Sequence, residues 1–208
     1  MDEQKKPLVC VKKGLIELKN MPILIALSKY YSKALITYSC DQAISKIETN
    51  PGLELVVSSM ITNVKREGLI ESTIKSLEEA IEECEGYFKR VEKYKNSLNN
   101  IKNQWYKEDD FPGGIIIANY CKERKIKCIV YANIPPSDLY SLNGTIAGIL
   151  LCSKQGYIPK EDLPNILHLL SNPWNTGLRI YSKDIIRIGI GGHGRIEEWI
   201  TLFKDFIS

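Results

Sequence analysis

Five short apolar runs, separated by stretches of helical period, constrain this chain more than any other feature. The runs are Leu8 to Val11, Ala34 to Tyr38, Leu53 to Val57, Ile126 to Tyr131 and Ile146 to Leu151. Between them lie helical patterns at 22–31, 41–48, 113–124 and 136–142, with another at 160–170. Short apolar strands alternating with helices specify an α/β protein whose strands are parallel and whose helices are the crossovers. Pro22 suits a first-turn position, where the missing N–H costs nothing, and Pro164 is tolerated in the last of these helices only if it lies in the first turn.

Residues 64–110 break this rhythm. A connection after a strand is usually short, yet here the chain reads as one long helical insertion. Ile74, Leu77, Ile81, Cys84, Phe88, Val91, Leu98 and Trp105 recur at spacings of three and four, with Lys95 and Lys102 in two slots of the same seam. This is a coiled-coil heptad interrupted by lysines. A continuous helix over 71–106 would span on the order of 50 Å, more than a small sheet can cover. Its charges are segregated, with Glu78, Glu79, Glu82, Glu83 and Glu85 before Gly86 and Lys89, Arg90, Lys93 and Lys95 after it. The pattern predicts an antiparallel homodimer through this helix, with those eight apolar residues as the interface. The rival is a helical hairpin that turns near Asn96 to Asn100 and buries the seam within one chain.

After Leu170 the chain turns at Asn172-Pro173. It then shows strand patterns near 178–181 and 185–190, a glycine turn and a last helix over 196–206. We divide the chain into an α/β domain at 1–172, holding the insertion, and an extension at 173–208 that joins the same sheet. The 208 residues, 44% hydrophobic and 25% charged, suit a folded domain of ordinary size.

Charge and cysteine usage exclude several classes. A formal net charge of +3, spread along the chain, gives no footprint of a nucleic-acid binder. The first residues carry charge and no apolar signal core, and no apolar run is long enough to cross a bilayer, so we expect a cytoplasmic protein away from membranes. The six cysteines are widely spaced, without CxxC or a Cys/His cluster, so we expect buried free thiols and no metal site.

Four segments carry a family resemblance. LELVVSSM, GGIIIANYCKERK, IKCIVYAN and AGILLCSK resemble, in order, the third strand, a helix, the fourth strand and the last strand of the receiver domain of two-component response regulators. The resemblance implies a flavodoxin-like open sheet with flanking helices. It also implies a degenerate site, a pseudo-receiver. Ser59, or Ser58 one place earlier, stands at the phosphoacceptor aspartate. Lys12 and Lys13 stand at the acidic pair that would hold Mg²⁺, Ala132 stands at the threonine, and only Lys154 is retained. Such a chain is expected to be a non-catalytic signalling module that works through protein–protein contact and needs no cofactor.

The same strand tips suggest an alternative. In an open parallel sheet they share one crevice, and here they would present Lys12, Lys13, Ser58, Ser59, Asn133, Ser153 and Lys154, a rim suited to an anionic small molecule or nucleotide. Gly189 to Gly194 formally matches GxGxxG and, with Gly191, Gly192, His193 and Arg195, is a second candidate anion contact. No further strand with an acidic residue about 20 positions on accompanies it within the sequence. The run into His193-Gly194 also resembles the histidine block of caspase-like peptidases, but no cysteine follows Cys152. TYSCDQ, residues 37–42, resembles the first box of TIR domains, some of which cleave NAD. That box should lie on a first strand, whereas an apolar strand already precedes it, and an NAD- or nucleotide-processing enzyme is the third reading.

Overall fold

A computed structural model describes residues 6–11, 21–88, 111–133, 139–171, 177–191 and 195–207. The fold is α/β, a flavodoxin-like open sheet with flanking helices. Its six strands are β1 (Lys6–Cys10), β2 (Leu35–Thr37), β3 (Leu53–Ser59), β4 (Lys127–Asn133), β5 (Arg179–Lys183) and β6 (Ile186–Gly191). They lie in the order β2-β1-β3-β4-β6-β5, all parallel except the edge strand β5.

The described helices are α1 (Met21–Leu27), α2 (Cys40–Thr49), α3 (Glu67–Phe88), α4 (Gly113–Glu123), α5 (Leu139–Lys154), α6 (Leu163–Ser171) and α7 (Ile196–Ile207). One face of the sheet, with Val9, Val57, Ile129 and Tyr131, packs on α1 and α7. The opposite face, with Leu8, Val56, Val130 and Ile188, packs on the other helices. Central strands buried on both faces read as unbroken apolar runs, which is why β1, β3 and β4 were legible.

One of the five apolar runs is a helix and not a strand. Ile146 to Leu151 forms the buried middle of α5, and the fifth parallel place in the sheet is taken by β6. An apolar run without period does not separate a buried strand from a helix covered on all sides. Here α5 is covered on all sides because α3 lies against its outer face.

That packing also changes the reading of the insertion. Leu77, Ile81 and Cys84 are buried against this chain's own core, with Ile74 packed at its margin. The first half of the seam is therefore closed within one chain and is not open to a second copy. Phe88 ends α3, and Val91, Leu98 and Trp105 lie outside the described residues. Lys154 Nζ sits 2.8 Å from Glu79 Oε2 and 3.1 Å from Glu83 Oε1, and Lys160 Nζ also meets Glu83, 2.6 Å from Oε2. These pairs fasten α3 to the end of α5 and to the turn before α6.

Beyond β4 the sheet continues with β6 and the edge strand β5. A two-residue turn at Asp184-Ile185 joins β5 to β6, with Asp184 in the left-handed region at φ 49°, a conformation that aspartate tolerates better than most residues.

Candidate functional site at the carboxyl edge of the sheet

β1 leads to α1 on one face of the sheet, and β3 leads to α3 on the other. The crevice between their carboxyl ends is where an open sheet of this kind places a ligand. Register aligns Cys10 with Thr37 on one side and Ser58 on the other, so three small polar side chains form a buried row under that edge.

The segment after β3 folds back over this row. Met60 N donates to Tyr131 O at 2.7 Å, Thr62 N to Phe111 O at 3.0 Å, and Cys40 N to Asn63 O at 2.9 Å. Asp41 holds the end of the segment, its Oδ2 accepting from Lys65 N at 2.8 Å. Gly113 and Gly114 let α4 start against it, since a Cβ on Gly114 would collide with Ser59 O and one on Gly113 with Thr62 Oγ1. On the α2 and α4 side, the crevice is filled by the protein itself.

The chemistry of the row is correspondingly quiet. Burial pushes the Cys10 thiol up to about 11, although hydrogen bonds with Thr37 and Ser58 pull the other way. Its Sγ donates to Ser39 O at 3.5 Å. Burial also raises Cys40 and Cys152. A thiol held protonated is not a nucleophile. Ser58 is fully buried, and its hydroxyl donates to Ser59 O at 2.9 Å. Among the described residues no group of His, Cys, Asp and Glu is placed to hold a metal ion, and no helix is long and apolar enough to cross a membrane.

The residues singled out from sequence are only partly brought together. Ser58, Ser59, Asn133 and Gly191 end their strands at the same edge. Lys154 does not join them, because the segment that carries it is the last turn of a helix and its charge is taken up by Glu79 and Glu83. Ser153 is buried on the same turn. Lys12, Lys13, Gly192 and His193 lie outside the described residues. At Gly191 a Cβ would stand 2.7 Å from Gly177 O, so close backbone approach already accounts for that glycine. Arg195 opens α7, its backbone N donating to Glu198 Oε2 at 2.8 Å.

The TYSCDQ segment has a structural account as well. Gln42 N donates to Ser39 Oγ at 3.3 Å, and Tyr38 N donates to Gln42 Oε1 at 3.0 Å. These reciprocal bonds resemble a capping box at the start of α2, and they follow the second strand rather than the first.

A second concave feature lies on the opposite face. Between β5 and α7 runs an open groove of about 520 Å³, with Leu178 and Ile180 on one side and Thr201 and Leu202 on the other. No periodicity in the sequence announces it, since it depends on which strands α7 leaves uncovered. Ile180, an apolar residue 37% exposed on an edge strand, is its one local sign.

No family model, curated protein or solved structure matches the chain. The functional reading therefore rests on the site and the groove themselves.

Proposed function

We propose that this chain is a non-catalytic regulatory module, built on a receiver-like frame and acting through contact with another protein. The observation that carries this reading is the end of β3. Where a receiver would need an exposed carboxylate, Ser58 is sealed under the sheet edge and Ser59 is half-buried beside Tyr131 in the ladder. A serine hydroxyl in either place cannot form an acyl phosphate. The order β2-β1-β3-β4 supports the receiver-like frame, the raised thiols argue against covalent chemistry at the edge, and the groove beside α7 supplies a surface for contact.

Two measurements test the proposal together. Intact-mass analysis after incubation with Mg²⁺ and acetyl phosphate should show no added phosphoryl group. Photo-crosslinkers placed in turn at Ile36, an exposed residue on the opposite edge strand β2, and at Ile180 in cells should yield a discrete protein adduct from at least one position. Phosphorylation of an aspartate, or turnover of NAD or a nucleotide by the purified chain, would overturn the reading.

A further inference from the structure

On the α1 and α7 face the helical layer stops short of the edge of the sheet. Trp199 of α7 stands over Tyr131 of β4, and α7 packs against α1, so this pair covers the β1, β3 and β4 side. β6 and β5 continue beyond it. Over β6 part of the space is taken, since Arg187 reaches across to α7, and what remains between β5 and α7 is the open groove of about 520 Å³, flanked by a strand on one side and a helix on the other. Leu178 and Ile180 lean over Gly189, whose lack of a side chain keeps the floor low.

We propose that this groove takes one amphipathic helix of a protein partner, with lysines or arginines along the border of its apolar face. The inference rests on the reading of the chain as a protein-contact module. Charge selects the partner. Glu197, Thr201 and Asp205 recur at intervals of four and so line one flank of α7, and all three border the groove. Arg187 is the cation among the lining residues, and it is already committed. Its guanidinium lies 4.3 Å from the centre of the Phe206 ring and donates to the carbonyls of Leu202 and Asp205 at 3.5 and 3.3 Å. The Asp205 carboxylate also acts on Arg187, and Glu197 and Glu198 keep the wall acidic on a chain whose overall charge is positive, so a basic helix would be drawn to this flank rather than to the molecule at large.

A second copy of the chain fits less well. β5 is bracketed by Arg179 and Lys183, and antiparallel pairing of two β5 edges would set these like charges against each other.

The test uses the full chain, isotopically labelled, and a synthetic 18-residue leucine–lysine amphipathic helix as probe. Its leucine–glutamate counterpart and a scrambled leucine–lysine peptide are the controls. Amide shifts at Ile180, Ser182, Thr201 and Asp205 should saturate with the lysine peptide at least ten-fold more tightly than with either control. The pair Glu197→Lys and Asp205→Lys should reverse the charge preference while the melting temperature holds, and Ile180→Asp should abolish binding. Shifts scattered over the surface, equal binding of both charges, or an unchanged preference in the pair would overturn the proposal. So would a wild-type dimer that Ile180→Asp dissociates, which would seat a second copy in the groove. If the peptides fail while crosslinking from Ile36 captures a partner, the groove proposal falls and the protein-contact reading stands.

Discussion

The indole of Trp199 stands edge-on to the ring of Tyr131, their centroids 5.5 Å apart and their planes at 83°. This contact holds the last helix to the middle of the sheet, and both side chains are almost fully buried. Trp199→Ala should therefore cost roughly 3–5 kcal/mol, the usual range for emptying a buried aromatic site. Trp199→Phe should cost distinctly less. Chemical denaturation of the two variants checks this, and an alanine variant within about 1 kcal/mol of wild type would refute the anchoring role.

Two glycines should respond with opposite signs. Gly114→Ala drives a Cβ into Ser59 O and against Met60 Cα, and that backbone is pinned by the bond from Met60 N to Tyr131 O. We expect a loss of at least 1–3 kcal/mol, as for other overpacked sites. Gly68, in the first turn of α3, has open space around it, so Gly68→Ala should stabilise by about 0.5–1 kcal/mol. Melting temperatures that move in the same direction for both would show that the close approach at Gly114 does not govern its response.

The contrast between Ile129 and Ile149 shows how far the sequence could be read. Both sit in apolar runs with no alternation. Ile129 is buried because the sheet has helices on both faces, and Ile149 because a helix is wrapped by its neighbours. Nothing local separates the two cases. The same limit applies to Leu77 and Ile81: a heptad seam fixes which residues are covered but not whether the cover is another molecule or α5. Lys154 stands at the end of a helix and not at the sheet edge because the apolar run before it is helical, so the one ambiguous element decides the residue's place. Ser58 and Ser59, by contrast, end the strand β3, whose apolar run is bounded on both sides by clear breaks.

Thiol reactivity should report on global opening alone. All six cysteines are buried and unbridged, and burial holds Cys10 at about 11 and Cys40 higher still. At pH 8 a thiol-specific chromogenic reagent should label almost none of them within minutes, and all six in denaturant. Rapid labelling of Cys10 in the folded protein would contradict the sealed row beneath the sheet edge.

Stability should depend on pH through the pairs that fasten α3. Hydrogen bonds and charge from Lys154 and Lys160 hold the Glu79 and Glu83 carboxyls below the usual carboxylate range. The same contacts raise both lysines. For the glutamates the unfolded chain binds protons more readily than the folded one. Their contribution is therefore complete above the unfolded carboxylate value, near pH 4.3, and is lost as pH falls through the lower folded values. For the lysines the sign reverses: the contribution is complete below the unfolded value, near pH 10.4, and is lost as pH rises through the folded ones. Between these limits the pairs give a plateau, and because the carboxylates are exposed to solvent, added salt should lower it. Lys154→Met should be less stable than wild type at pH 7, with the gap closing as pH falls below the carboxylate range. Denaturation midpoints of the two proteins from pH 2 to 8 check this, and a gap that persists unchanged at the acid end would mean that Lys154 acts through packing and not through Glu79 and Glu83.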